Sequence, residues 1–188
     1  MSEAATPRVL VAYFSHAGEN WVSGGVRYIE VGNTKRLAET IANKLESRGH
    51  RVDRYEIKAS DPYSVKYEET TKRAEAETDA DARPGIVLPV PDASTYDVLF
   101  LGYPMWCGKM PRVVMTFLET VKFGAIAVWP FTTHEGGGIN QSEREVLKAA
   151  PEADVKPGFA MIGSNVEHPG EPLEHWLNAF DAGRREDR

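Results

Sequence analysis

The sequence predicts a three-layer α/β domain built on a parallel sheet, and three observations support this fold class. Strand-like apolar segments alternate with helical patterns along the chain. The first strand-like segment, residues 9–14, is almost wholly apolar, as in a strand that is covered on both faces. No repeat and no interior linker divides the 188 residues. We therefore expect one domain over residues 1–182 and a disordered tail over residues 183–188.

The first strand and helix have the clearest pattern. Residues 9–14 are β-branched, aromatic and nearly free of polar side chains, which predicts a buried parallel strand. A long loop rich in hydroxyl, glycine and amide groups follows. Beyond Thr34, apolar residues recur at helical spacing and predict the first helix: Leu37, Ala38, Ile41, Ala42 and Leu45.

The next segment predicts an edge strand, an exposed helix and a connector. Residues 50–57 alternate as in a partly exposed strand. Residues 65–80 have helix-forming composition with little apolar periodicity, which predicts an exposed helix. Three prolines within residues 83–91 predict a connector. The charged region over residues 59–83 is compatible with a partner surface and equally with a solvated helix.

Three more strand–helix pairs complete the alternation. Pro111 is placed to open a helix, since proline suits the first helical position. The last strand and helix are compatible with the same architecture. In order, the elements are a strand at 97–101, a helix from Pro111, a strand at 124–132, a helix at 142–149, a strand at 155–163 and a helix at 172–180.

Composition and charge exclude several classes of protein. A net charge of −6 argues against nucleic acid as a partner. The single cysteine rules out an intramolecular disulfide. The N-terminus lacks the pattern of a signal peptide, and no apolar run is long enough for a membrane span. The expectation is a cytoplasmic protein that binds neither nucleic acid nor membrane, either as a monomer or as a homodimer.

Three predicted strands end in loops of unusual composition: residues 15–34, 103–109 and 132–138. In an open parallel sheet, ligands bind beyond the carboxyl ends of the strands, near the point where strand order reverses. A strand order of 2-1-3-4-5 would bring all three loops to one face. The first loop ends at a helix N-terminus, where free N–H groups and the helix dipole favour an anion. We therefore expect a phosphorylated ligand there.

Four motifs together carry a resemblance to a known family. SHAGEN, VGNTKRLAETIA, FLGYPMWCGKMP and PFTTHEGGG occur in this order over most of residues 8–138. The set resembles the flavodoxin-like family, in the branch with a long first loop. The resemblance implies a flavodoxin-like three-layer sandwich with a five-stranded parallel sheet in the order 2-1-3-4-5. It also implies FMN as the cofactor and electron transfer through the bound flavin.

The resemblance assigns the phosphate to the first loop. Ser15, Asn33 and Thr34, with the backbone near Ala17, are implied to hold the FMN phosphate. Hydroxyl and N–H groups can bind a dianion without a neutralising cation. Ser15 and Thr34 could instead only cap the first helix, and the two roles are compatible.

The second loop is implied to bracket the isoalloxazine, through Pro104, Met105, Trp106, Cys107 and Gly108. Trp106 offers a flat apolar face for stacking. Gly108 can adopt both signs of φ, and in flavodoxins a peptide flip at a comparable glycine supports the half-reduced flavin. Met105 and Trp106 could instead be buried packing residues. With no resolving cysteine in the chain, Cys107 is expected to be a small, partly buried packing residue rather than a redox group.

The third loop contains three consecutive glycines, which let the backbone approach a planar ligand closely. The cofactor contacts expected here come from Thr132, Thr133, His134, Gly137 and Gly138. A flexible surface loop is the alternative, and a histidine in such a loop is usually not catalytic. We assign no catalytic residue and no metal ligand.

Two features depart from a short flavodoxin. Residues 19–31 are too apolar for a solvated loop, so we expect them to pack near the phosphate loop and to shield the cofactor or a partner surface. Lys35, Arg36, Lys109 and Arg112 follow the loops closely in sequence. If these cations approach the flavin, they would stabilise the anionic reduced form and favour two-electron chemistry.

Three functions remain open at this point. The first is a flavodoxin-type carrier that passes electrons between redox partner proteins. The second is an NAD(P)H-dependent FMN oxidoreductase that reduces a quinone or a similar small-molecule electron acceptor. The third is a flavin-free scaffold of the same fold. The absence of a P-loop motif argues against nucleotide hydrolysis.

Overall fold

A computed structural model describes residues 6–186 of the chain. A parallel sheet and a separate two-stranded hairpin alternate with five α-helices. The strands are β1 (Arg8–Phe14), β2 (Gly18–Val22), β3 (Gly25–Ile29), β4 (Arg51–Ile57), β5 (Val98–Pro104), β6 (Ala127–His134), β7 (Asp154–Val155) and β8 (Phe159–Ile162). The helices are α1 (Asn33–Ser47), α2 (Tyr67–Asp79), α3 (Arg112–Val121), α4 (Ser142–Ala149) and α5 (Gly170–Glu186).

The main sheet has the strand order β4-β1-β5-β6-β7, and β8 also pairs with β6. All of these pairings are parallel. The predicted order 2-1-3-4-5 is confirmed, with β4, β5 and β6 as the second, third and fourth strands. The predicted fifth strand is divided into β7 and β8, so the sheet has six strands. Pro157 lies between the two pieces, and proline cannot donate to a strand ladder.

Strand β1 supplies side chains to both cores of the sandwich. Alternate residues of a strand face opposite sides of the sheet. Leu10, Ala12 and Phe14 pack with the inner faces of α3 and α4. The intervening apolar residues of β1 pack with α1 and α5. This two-sided burial explains why the strand is an unbroken apolar run.

Several boundaries differ from the sequence prediction. The first loop contains the β2–β3 hairpin, which was not predicted as a strand pair. Helix α5 begins at Gly170 and continues through Glu186, so it includes residues 183–186 of the predicted disordered tail. Residues 187–188 lie outside the described residues. Phe180 is the last buried apolar residue of α5. Because no buried apolar residue follows it, the apolar pattern of the sequence does not indicate where the helix ends.

Within residues 6–186, no helix is long and apolar enough to cross a membrane.

Gly102 lets β5 pass close to a buried aromatic ring of β6. A Cβ at this position would overlap the far edge of the Phe131 ring and lie 2.9 Å from its Cε1 atom. Phe131 is fully buried and cannot move away cheaply. We expect Gly102→Ala to lower the free energy of unfolding by about 1–3 kcal/mol, as overpacking of a core does. Urea unfolding measures this loss, and the smaller side chain of Phe131→Leu should recover part of it in the double variant.

Candidate functional site

A cavity of about 430 Å³ lies beyond the carboxyl ends of β1, β5 and β6. Its size falls within the usual range for a small-molecule or cofactor site. The three loops with unusual composition all contribute to it, and the hairpin and α2 add a further wall. The lining residues are His16, Glu19, Asn20, Trp21, Asn33, Thr34, Tyr67, Thr70, Thr71, Ala74, Pro104, Met105, Trp106, Cys107, Gly108, Thr133, His134, Glu135, Gly137 and Gly163.

The N-terminus of α1 packs tightly against the chain that leaves β1. Ser15 Oγ accepts a hydrogen bond of 3.0 Å from the backbone N–H of Lys35. The first intrahelical bond runs from Arg36 N to Gly32 O. A Cβ on Gly32 would overlap Ser15 Oγ and lie 2.6 Å from the carbonyl oxygen of His16. Glycine at this position therefore permits the two segments to meet.

Asn33 and Thr34 begin α1 and line the cavity. The first N–H groups of a helix have no acceptor within that helix. Ser15 satisfies one of them, which is the capping role given above as the alternative for this residue. Thr34 has a different partner: its Oγ1 lies 2.7 Å from Oγ1 of Thr133, and both residues are buried. This bond joins the first loop to the third.

The second loop contains a tight turn, and its first residue, Trp106, packs against three other aromatic rings. Trp106 lies edge-on to Phe14, Tyr63 and His16, with ring centroids 5.2, 4.9 and 5.7 Å away. Trp106 therefore packs against other side chains and also lines the cavity. The ring is fixed before any ligand binds.

The expectation for Cys107 is wrong, because the residue is exposed rather than partly buried. Residues 106–109 form a two-residue turn with reciprocal backbone hydrogen bonds between Trp106 and Lys109. Cys107 and Gly108 occupy its tip with φ of +50° and +71°. A turn of this kind projects its central residues into solvent. Burial and the nearby carboxylates of α2 raise the pKa of the Cys107 thiol, which disfavours the reactive thiolate.

The third loop carries a carboxylate that sequence reasoning did not assign to the site. Glu135 Oε2 accepts a hydrogen bond of 3.0 Å from the backbone N–H of Ser23 in the hairpin. His134 Nδ1 accepts one of 3.0 Å from Gly136 N, and burial lowers the pKa of His134. A Cβ on Gly163 would lie 2.6 Å from Glu135 Oε1. The loop is therefore held at several points around the cavity.

The structure places most of the predicted site residues around the cavity. Those that line it are Asn33, Thr34, Pro104, Met105, Trp106, Cys107, Gly108, Thr133, His134 and Gly137. The remaining four, which do not line it, are Ser15, Ala17, Thr132 and Gly138. Ser15 acts one step away, through the N-terminus of α1. Thr132 is fully buried, and among the described residues its hydroxyl has no hydrogen-bond partner.

The hairpin and α2 together form one wall of the cavity, and the sequence analysis assigned no residue of α2 to the site. Glu19 N donates to Val65 O at 2.8 Å, and the Glu19 carboxylate accepts from Lys66 Nζ at 2.8 Å and from Tyr67 N at 3.1 Å. The Trp21 and Tyr67 rings lie 6.1 Å apart. The hairpin thus rests on the start of α2 at one side of the cavity, and its tip reaches the third loop at the other.

The four cations that follow the loops in sequence do not line the cavity. Lys35 pairs with Glu56, Arg36 pairs with Glu167, and neither lines the cavity. The buried guanidinium of Arg112 binds Asp81 and Glu145, and Lys109 is exposed outside the lining. The charged side chains that do line the cavity are the carboxylates of Glu19 and Glu135. Within residues 6–186, no cluster of three or more potential metal ligands is found.

His16 supplies a buried polar atom to the cavity. Among the described residues, its Nε2 has no hydrogen-bond partner. Burial lowers the pKa of His16, so the folded protein favours the neutral ring. An unfolded histidine titrates near pH 6.5 and takes up protons before the folded one does. The contribution of His16 to stability is therefore complete above about pH 6.5 and decreases as the pH falls toward the folded pKa.

Replacement of His16 tests this pH dependence. Between about pH 7.5 and pH 5.5, we expect His16→Gln to lose less free energy of unfolding than the unaltered protein, because glutamine does not titrate. Urea unfolding at the two pH values measures both losses. The matched control is His168→Gln at an exposed position. Equal losses in the His16 variant and the unaltered protein would contradict the prediction.

Comparisons with known proteins agree with this geometry. The family described as Flavodoxin matches residues 8–180. A candidate flavoprotein from Bacteroides eggerthii is 27% identical, with a TM-score of 0.68 over 93% of this chain and 98% of that one. A flavoprotein in complex with FMN from Lactobacillus acidophilus is 23% identical, with a TM-score of 0.62 over 86% of this chain and 97% of that one.

An NADH:FMN oxidoreductase in its apo form is 18% identical, with a TM-score of 0.56 over 95% of this chain and 89% of that one. At such low identity, this likeness and the one to the Lactobacillus protein concern the fold alone. No curated protein matches the sequence significantly. The family match, by contrast, covers almost the whole chain and includes every loop of the cavity. The chain belongs to the flavodoxin family.

Proposed function

We propose that this chain is a flavodoxin-type electron carrier that binds FMN in the cavity and passes electrons between redox partners. The observation that carries the proposal is the convergence of three loops on one cavity, with a helix N-terminus at its base and aromatic side chains in its walls. When bound, FMN supplies the electron chemistry. The protein binds it, orients it and sets its potential.

The residues at the start of α1 fit a phosphate. Asn33 and Thr34 offer helix N–H groups that have no acceptor within α1, and the positive end of the helix dipole favours an anion. Gly32 leaves no side chain in the space between α1 and the end of β1. Among the described residues, no lysine or arginine lines the cavity, so backbone N–H groups and neutral side chains would hold the dianion.

The second and third loops fit a planar ring system. Trp106 is locked by three neighbouring rings and still lines the cavity, so its position needs no rearrangement on binding. The backbone of Met105 donates to Thr133 O at 2.8 Å, which ties the second loop to the third. The buried Nε2 of His16 is free to bond a polar edge of a ligand. These groups are arranged before the cofactor arrives.

The charge around the cavity favours a carrier of low potential. Lys66 donates a hydrogen bond to the Glu19 carboxylate, and this bond lowers the pKa of Glu19. The positive charge of the lysine also partly offsets the negative charge of this carboxylate. Glu135 accepts its hydrogen bond from an uncharged backbone N–H group. Negative charge beside the flavin disfavours its anionic reduced form. The reduced protein would therefore be a strong electron donor.

The second candidate is an NAD(P)H-dependent FMN oxidoreductase. The observation that favours it is the Trp21–Tyr67 ring pair in the cavity wall. Trp21 is 46% exposed, so its ring is accessible from solvent. A nicotinamide or a quinone could stack there.

Anaerobic reduction separates the two candidates. The FMN-loaded protein is mixed with NADPH or NADH, and the loss of flavin absorbance is followed in a stopped-flow instrument. A carrier is expected to react slowly and without saturation, whereas dithionite reduces it fully. Fast, saturable reduction by either nucleotide would establish the oxidoreductase instead.

A further inference from the structure

The β2–β3 hairpin is held firmly at its base. Glu19 donates its backbone N–H to Val65 O at 2.8 Å, and its carboxylate accepts from two donors at the start of α2. The neighbouring Gly18 has a φ of +106°, and a Cβ there would lie 2.8 Å from the same carbonyl oxygen. Asn20 Nδ2 donates to His16 O at 3.3 Å. The base is therefore fixed both to α2 and to the chain that leaves β1.

The tip of the hairpin is held by a hydrogen bond to the third loop. Ser23 and Gly24 form the two-residue turn, with φ of +50° and +86°. Within residues 6–186, a Cβ at Gly24 or Gly25 would meet no atom within 4 Å, so these positions face open space. Ser23 N donates to Glu135 Oε2 at 3.0 Å. In such a turn the N–H of the first central residue has no partner within the hairpin, so an outside acceptor can bind it.

Glu135 is positioned to accept this bond. A Cβ at Gly163 would lie 2.6 Å from Glu135 Oε1, so the carboxylate packs against the backbone that follows β8. His134 Nδ1 accepts a hydrogen bond from Gly136 N, and this bond spans the backbone of Glu135. The acceptor is therefore fixed by the body of the fold, whereas the donor lies on the tip of the hairpin.

The hairpin spans the side of the cavity between these two attachments. Glu19 at its base, Trp21 near its tip and Glu135 on the third loop all line the cavity. The hydrogen bond that joins the tip to the third loop is exposed to solvent. A segment that is fixed at one end and held at the other by an exposed hydrogen bond can open locally at low cost in free energy. When the tip is released, Trp21 moves away from the cavity while the base stays on α2.

We infer that the β2–β3 hairpin is a lid over the flavin site and that Glu135 is its latch, so that FMN enters and leaves while the Ser23–Glu135 hydrogen bond is broken. This inference rests on the proposed function. A lid that is closed both with and without FMN slows association and dissociation by the same factor, since the ligand waits for the same opening in each direction. The latch therefore sets how fast FMN exchanges and changes its affinity little.

Glu135→Ala is the test variant, because it removes the acceptor and leaves the whole hairpin, with Trp21, in place. The matched control is Glu30→Ala. Glu30 is exposed just beyond β3 and does not line the cavity, so this change removes the same charge and leaves the latch intact. In the FMN-free protein, NMR measures amide hydrogen exchange at Ser23 and at Glu19. Stopped-flow flavin fluorescence gives the association and dissociation rates of FMN.

We expect Glu135→Ala to speed amide exchange at Ser23 by about tenfold, the effect of losing one hydrogen bond. Exchange at Glu19 should not change, because the base stays fixed. Both FMN rates should rise by about the same tenfold factor, so the dissociation constant stays within a few-fold. Glu30→Ala should leave the exchange and both rates unaltered.

Normal FMN binding with unchanged exchange at Ser23 would overturn the inference alone. Equally faster exchange at Glu19 would also overturn it, because the hairpin would then unfold rather than open. Loss of a negative charge by itself would speed association of the anionic FMN and slow its dissociation, so rates that move in opposite directions would count against a latch. Faster dissociation without faster association would assign Glu135 to ligand contact instead. If the unaltered protein takes up no FMN, the proposed function fails and the inference fails with it.

Discussion

Gly32→Ala is expected to weaken FMN binding about 100-fold or more, which corresponds to about 3 kcal/mol of binding free energy. Gly32 has φ of −61° and ψ of 142°, which alanine adopts without strain, so the effect is purely steric. The added Cβ would overlap Ser15 Oγ and lie 2.6 Å from His16 O. His16 O belongs to the backbone, so the chain leaving β1 must separate from α1. That movement would distort the predicted phosphate site.

A matched control for this variant is Gly25→Ala in strand β3. A Cβ at Gly25 would meet no atom within 4 Å, and this glycine does not have positive φ. Both variants are titrated with FMN by flavin fluorescence, and both are checked by thermal unfolding. We expect Gly25→Ala to bind like the unaltered protein. Normal affinity in a folded Gly32→Ala protein would contradict the assignment of the phosphate to α1.

Loss of the hairpin tip is expected to weaken FMN binding about 10- to 100-fold, or by about 1.4–2.8 kcal/mol. The change replaces residues 21–26 with Asn-Gly, a sequence that suits a two-residue hairpin turn. Asn20 pairs across the hairpin with Arg27, and both residues remain, so the shortened strands can still be joined there. Trp21 is lost from the cavity wall, and Ser23 no longer reaches Glu135. The cavity becomes more open to water on that side, and dissociation of FMN should be faster.

The control for the hairpin variant is Arg27→Ala, at an exposed position of β3 that does not line the cavity. Stopped-flow release of FMN into excess apo-protein acceptor gives the dissociation rate of each variant. Arg27→Ala should release FMN like the unaltered protein. If the shortened hairpin also releases FMN at the unaltered rate, the hairpin does not shield the cofactor.

The centre of the fold was predictable because its three central strands, β1, β5 and β6, are mainly apolar on both faces. β1 alternates its side chains between two cores, so no polar residue interrupts residues 9–14. The hairpin also had a local signal. Ser23-Gly24 separates two runs that contain aromatic and β-branched residues, which is the pattern of a two-residue hairpin turn.

The rest of the site depends on contacts between distant parts of the chain. Arg112 follows the second loop in sequence, yet its guanidinium is buried against Glu145 in α4, 33 residues later. Helix α2 contributes Tyr67, Thr70, Thr71 and Ala74 to the cavity lining, and the spacing of these residues in the sequence does not indicate this role. The contact between Ser23 and Glu135 joins residues that are 112 positions apart. Local periodicity contains no information about pairings of this kind.

Parallel titrations of the purified FMN-free protein with FMN and with riboflavin test the central claim most directly. Riboflavin has the same ring system as FMN and lacks the phosphate. We predict saturable one-to-one binding of FMN at micromolar or tighter affinity with quenched flavin fluorescence, and riboflavin binding about 100-fold weaker, or about 2.8 kcal/mol. The absence of saturable FMN binding would contradict the claim that this cavity is a flavin site. Equal affinity for the two flavins would contradict the claim that the N-terminus of α1 holds the phosphate.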